Sequence, residues 1–120
     1  MATIKSHTDL EQSNILAKIL PLESADMYYS KYNTIHANTL YSSCDRQYFH
    51  VREYTPCWSL AALLGVLPEG IIEKFYVPNL QKEDGKYSIA YGDDELLCIA
   101  DNPVDACVKM ILKLHKLNLL

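Results

Sequence analysis

The hydrophobic pattern is sharpest at the end of this chain of 120 residues, where a strand period gives way to a helical one. Tyr87, Ile89 and Tyr91 alternate with Ser88 and Ala90, the spacing of a half-buried strand. Glu83-Asp84-Gly85 and Gly92-Asp93-Asp94 bracket that strand as turns, and Leu96–Ile99 forms another short strand after them. From Pro103 onward the period becomes helical. Val104, Cys107, Val108, Ile111 and Leu114 fall on one face, and Asp105, Lys109, Lys113 and Lys116 on the other. Asn102 predicts the N-cap, Pro103 the first helical position, and Asp105 the third, where a carboxylate suits the helix dipole. Asp105 also stands in the favourable i,i+4 order with Lys109.

Earlier elements follow from similar signals. Thr8-Asp9-Leu10-Glu11 has the form of a capping box and predicts a first helix, with Ile15, Leu16, Ile19 and Leu20 inward and Pro21 as its end. Thr55-Pro56 repeats the cap-then-proline signal and predicts a helix over Pro56–Leu67. That segment carries no charge, so it is expected to lie inside the protein, with Ala61, Ala62 and Gly65 beside Trp58 admitting another backbone. Phe75–Leu80 reads as a strand that Pro78 pushes towards an edge. Between Met27 and Tyr54 no helical period is present, and Thr39–Tyr41 and Gln47–Val51 are the candidate strands. Together these elements predict an α+β fold: a small antiparallel sheet packed with about three helices, in one domain spanning residues 1–120.

Composition narrows the classes. Hydrophobic content of 49% and charged content of 22% are those of a globular chain. The formal charge of −4 supplies no general field for phosphate backbones, which argues against nucleic acid as a partner. The longest apolar run, Leu60 to Leu67, is far shorter than the ~20 residues a membrane helix needs. Lys5, His7, Asp9 and Glu11 interrupt any leader-like core near Met1, so a cytoplasmic location is expected. The four cysteines contain no CxxC pair and are read as reduced. No cofactor-binding motif is read.

Candidate chemistry is thin. Cys57, placed in the first turn of a predicted helix, is the sharpest enzymatic candidate, with His36 or His50 as its base. The plainer reading is a buried thiol beside Trp58. A zinc site from His36, Cys44, His50 and Cys57 has the right donors but no compact ligand spacing. Glu83, Asp84, Asp93, Asp94 and Glu95 lack the alternation of a calcium loop and read as turns. Six of the nine tyrosines (Tyr28, Tyr29, Tyr32, Tyr41, Tyr48 and Tyr54) lie in the irregular centre and are the candidate partner-binding residues. Covering the exposed end of the sheet is their alternative role. The interface reading is preferred because the surrounding sequence is loop-like.

Three segments carry a family resemblance: Leu20-Pro21-Leu22-Glu23-Ser24-Ala25-Asp26-Met27, Pro56-Cys57-Trp58-Ser59-Leu60-Ala61-Ala62-Leu63-Leu64, and Asn102-Pro103-Val104-Asp105-Ala106-Cys107 running into Lys113-Leu114-His115. They resemble a group of small proteins of gut anaerobic bacteria and their phages, a group that brings no established activity. The final third is also similar to phage ABA-sandwich domains, in which the turn before the helix reads Gly-Asp-Thr-Pro; Ala100-Asp101-Asn102-Pro103 keeps the Asp and Pro but lacks the Gly and Thr. More distantly, a hairpin followed by such a helix resembles HicB-type antitoxin domains. The reading is a non-enzymatic interaction or accessory protein of phage or mobile-element origin that contacts a protein partner through the tyrosine-rich segment, and the edges exposed by a small sheet give it a capacity to self-associate. The alternatives are a small cysteine enzyme centred on Cys57 and an antitoxin-like RNA binder using Lys109, Lys113 and Lys116.

Overall fold

The computed structural model describes residues 5–30, 35–37, 54–70, 77–92 and 96–120. Its elements, in chain order, are α1 (Leu10–Leu16), a 3-10 turn (Leu22–Ser24), β1 (Met27–Tyr29), β2 (Ile35–Ala37), β3 (Thr55–Cys57), α2 (Leu60–Val66), β4 (Pro78–Glu83), β5 (Lys86–Tyr91), β6 (Leu96–Ala100) and α3 (Pro103–Lys116). The fold is α+β. Two antiparallel sheets are present where the pattern predicted one, in the orders β2-β1-β3 and β4-β5-β6. The chain falls into two compact units, His7–Ala62 and Leu63–Leu120 with Met1–Ser6, and the boundary lies within α2. Thr39–Tyr41, Gln47–Val51 and the start of the predicted strand at Phe75 lie outside the described residues.

The first unit is organised around Thr8. Its N–H donates to Trp58 O at 2.9 Å, and its Oγ1 accepts the Trp58 N–H at 3.1 Å. Thr8 Oγ1 also shares a hydrogen bond of 2.8 Å with Ser13 Oγ, and both residues are fully buried. With its hydroxyl turned inward, Thr8 does not cap α1. The capping box therefore shifts by one residue: Asp9 accepts the Gln12 N–H at 2.8 Å and Gln12 Oε1 accepts the Asp9 N–H at 3.0 Å. Leu16 and Leu20 are buried as expected, whereas Ile15 is exposed.

The same bonds correct the prediction that Thr55-Pro56 starts a helix. Thr55–Cys57 is a strand paired with β1, Tyr28 opposite Pro56. It lies at the edge of its described sheet, where the missing N–H of Pro56 is tolerated. Ser59 is the actual helix cap. Its Oγ accepts the Ala62 N–H at 3.2 Å, while Asp26 Oδ1 accepts the Ser59 N–H at 2.9 Å. Trp58 is fully buried, as the apolar pattern requires, and its Nε1–H donates to Ser24 Oγ at 2.9 Å. The rest of that segment is less enclosed than its composition suggests. Leu63 and Leu67 are buried, but Ala61, Leu64 and Gly65 are exposed. Among the described residues, a Cβ at Gly65 would meet nothing within 4 Å, so none of their backbone packs there.

The second unit follows its sequence signals closely. The β4–β5 hairpin turns at Asp84 and Gly85, with φ of 51° and 75°, the doubly positive pair of a type I′ turn. Pro78 opens the edge strand β4. Asn102 caps α3 by accepting the Asp105 N–H at 2.8 Å, with Pro103 at the first helical position. At the other end Asn118, at φ 59°, lets Leu119 N–H reach Leu114 O at 2.8 Å and closes the helix in a Schellman turn. The predicted inward residues of α3 are all buried, joined by Ala106 and Met110. They cover β5 and β6, where Ile89, Tyr91 and Ala100 face them. Asp105 pairs with Lys5 at 2.8 Å, and Lys109 turns to the sheet instead.

Trp58→Ala is expected to cost about 3–5 kcal/mol, read from urea unfolding followed by circular dichroism. Trp58→Phe, which keeps a ring but loses the bond to Ser24, should cost clearly less. Equal losses would show that the indole N–H, not buried volume, holds this unit.

Candidate functional site

Three of the six candidate tyrosines lie among the described residues. Tyr28 and Tyr29 are 7% and 8% exposed and belong to the interior of the first unit. The Tyr28 ring packs at a tilt of 37° on half-buried Tyr54, centroids 4.8 Å apart, and Leu22 also packs against Tyr28. Tyr32, Tyr41 and Tyr48 lie outside the described residues.

Cys57 sits in a nest built by the Thr8 connections. Its Sγ donates to Thr8 O at 3.4 Å, and Tyr29 OH donates to the same oxygen at 2.7 Å. The expected low-pKa thiol requires a helix start, and Cys57 is instead on a strand with no exposed surface. Burial raises its pKa, against smaller lowering by the hydrogen bonds of Thr8 and Ser13. Tyr29 is pushed up to about 12, chiefly by burial, then by the charges that Cys57 and Asp9 would carry. The histidine brought against Tyr29 is His7, ring centroids 6.2 Å apart, which sequence reasoning did not single out. His36 lies in β2 opposite Tyr28. His50 and Cys44 are outside the described residues. Among the described residues no three metal-ligating side chains gather. Of the acidic cluster, Glu83 and Asp84 form the β4–β5 turn, and 93–95 lie outside the described residues.

A surface that sequence reasoning did not assign stands out on the second sheet. Every residue of β6 is apolar, so its alternation gives apolar side chains to both faces. Cys98 and Ala100 share the α3 side with Ile89 and Tyr87 of β5, opposite which they pair. Leu97 and Ile99 point the other way and are 36% and 50% exposed. Across that outer face Leu97 pairs with Ala90 and Ile99 with Ser88, and these in turn pair with Asn79 and Gln81 of β4. The face thus grades from exposed amides, through small residues, to a branched apolar edge. The missed signal was the lack of a polar residue anywhere in Leu96–Ala100.

Lysines of α3 flank that edge. Lys109 Nζ donates to Ile99 O at 2.9 Å. Cys98 is raised by burial, while Lys113 and then Lys109 favour its thiolate, which puts both lysines within electrostatic reach of mid-β6. Lys113 and Lys116 are exposed and have no carboxylate partner among the described residues.

No protein-family model, curated protein or solved structure matches this chain. Its surfaces therefore speak through their chemistry alone. Among the described residues no helix is long and apolar enough to cross a membrane.

The buried acids make alkaline stability a test of these environments. Cys107 is raised by burial from 9.0 to about 11, and Tyr29 from 10.0 to about 12. Both stay neutral in the folded chain where their unfolded counterparts ionise, so their contribution is whole below the unfolded values and is lost as pH climbs through the folded ones. The urea midpoint should hold to about pH 9 and fall steadily towards pH 11 to 12. Tyr29→Phe should be less stable at pH 8 yet decline less steeply. In the same nest, iodoacetamide should leave Cys57 unmodified in the native state at pH 8; labelling at the rate of a free thiol would contradict its enclosure.

Proposed function

We propose that this chain is a non-enzymatic interaction protein, an accessory of a phage or other mobile element, which holds a partner protein on the outer face of the β4-β5-β6 sheet. The observation that carries the reading is the exposed pair Leu97 and Ile99, adjacent on one face of an edge strand. Singly exposed apolar residues need no explanation, but branched residues side by side on a sheet face are what partners cover. The resemblance of three segments to small proteins of gut anaerobic bacteria and their phages is in keeping with an accessory role. The cysteine alternative has less behind it, because the Cys57 thiol is enclosed and held away from the thiolate. Tyr28 and Tyr29, of the six candidate tyrosines, have their rings enclosed within their own unit and are not offered to a partner.

The test is the double variant Leu97→Glu/Ile99→Glu, compared with the native chain as bait in its own host. A partner retained stoichiometrically by the native chain should bind the variant roughly tenfold or more weakly, with the far-ultraviolet spectrum unchanged. Equal retention by both would take the face out of consideration.

A further inference from the structure

The proposal here rests on the reading of β6 as a docking element and concerns what it accepts. β6 is the last strand of its described sheet, with β5 on one side. Its outer face offers Leu97 and Ile99, and its α3 side offers Cys98 within reach of Lys109 and Lys113. A strand laid along this edge would therefore meet apolar surface with every second residue and cationic surface with the residues between. We propose that β6 receives an extended segment of a partner protein in which apolar and acidic residues alternate, the apolar ones against Leu97 and Ile99 and the acidic ones against Lys109 and Lys113.

Four points select this occupant. Strand addition supplies backbone hydrogen bonds without regard to sequence, so specificity must come from the alternating side chains. The lysines supply half of it: Lys113 is exposed with no carboxylate partner among the described residues, and the bond from Lys109 to Ile99 O is one that an entering carboxylate can replace. The lysines also discriminate against a second copy. Antiparallel pairing of two β6 edges sets both α3 helices on the same side of the joined sheet, which brings lysine against lysine. Nucleic acid would use the lysines but leave Leu97 and Ile99 without apolar partners, and the chain carries a net charge of −4.

The experiment uses the full chain, labelled with nitrogen-15, and two acetylated hexapeptides, one alternating glutamate with valine and one alternating lysine with valine. The glutamate peptide should shift the amide signals of Leu97, Cys98 and Ile99, and its affinity should fall as salt is raised. Lys109→Glu/Lys113→Glu should weaken it by about tenfold or more and reverse the preference towards the lysine peptide. Equal binding of the two peptides overturns the proposal, as do shifts confined to other elements. So does tighter binding of a single-stranded oligonucleotide at the same lysines, which would assign the surface to nucleic acid. If the glutamate peptide does not bind while Leu97→Glu/Ile99→Glu still loses the natural partner, strand addition falls and the interaction reading stands. If that variant loses nothing either, both fall.

Discussion

A three-stranded sheet covered by a single helix hides one face and leaves the other to solvent or to a partner. In the unit built from β4, β5, β6 and α3, every other feature of the candidate surface follows from that constraint. The helix buries a broad apolar stripe against Ile89, Tyr91 and Ala100, and this fixes which way each strand residue points. Once that parity is set, Leu97 and Ile99 have no inward alternative. Shifting β6 by one residue would expose Cys98 and Ala100 in their place and force the bulkier Leu97 and Ile99 under α3, overpacking an interior already filled. The apolar outer edge is therefore compatible with a well-made interior and is not a sign of slack packing.

How much was legible in the sequence depended on the distance over which each decision is taken. The start of α3 could be read outright, because Asn102, Pro103 and Asp105 settle it within one turn of helix. The Asp84-Gly85 hairpin is equally local, since both central residues must adopt positive φ. Thr55-Pro56 is different. A cap followed by proline suits either a helix start or an edge strand, and the choice is made by Thr8, which bonds the Trp58 backbone from the far end of the unit. The same turn of Thr8 moves the α1 cap to Asp9. One long-range contact, between Thr8 and the Trp58 backbone, thus misplaced two elements in a purely local reading.

The candidate site shows the same limit. A tyrosine is a good interface residue and a good core residue for the same physical reason, a large ring with one polar atom. Composition cannot choose between them; the partners of Tyr28 and Tyr29 do. Cys57 was drawn into catalysis by a helix dipole that its strand does not possess. β6 was overlooked because short apolar strands usually signal burial on both faces. In a sheet with one helical layer that inference fails for half of the residues.

An edge strand that is apolar on its outer face carries a hazard as well as a use, because any extended chain can add to it. The position of Lys109 bears on both. Its ammonium lies on a backbone acceptor of the edge, so an incoming strand must displace a charge before it can pair. For a neutral strand the displaced lysine loses its contact and gains none. For a second β6 edge it faces another lysine row. An acidic strand returns the contact as an ion pair, in a setting where apolar neighbours exclude some of the water that would screen it. The same side chain thus protects the edge against indiscriminate pairing and sets the terms of the pairing that is permitted. Replacing Lys109 with an uncharged residue of similar length would separate these effects, since it opens the edge without offering an acidic segment anything in return.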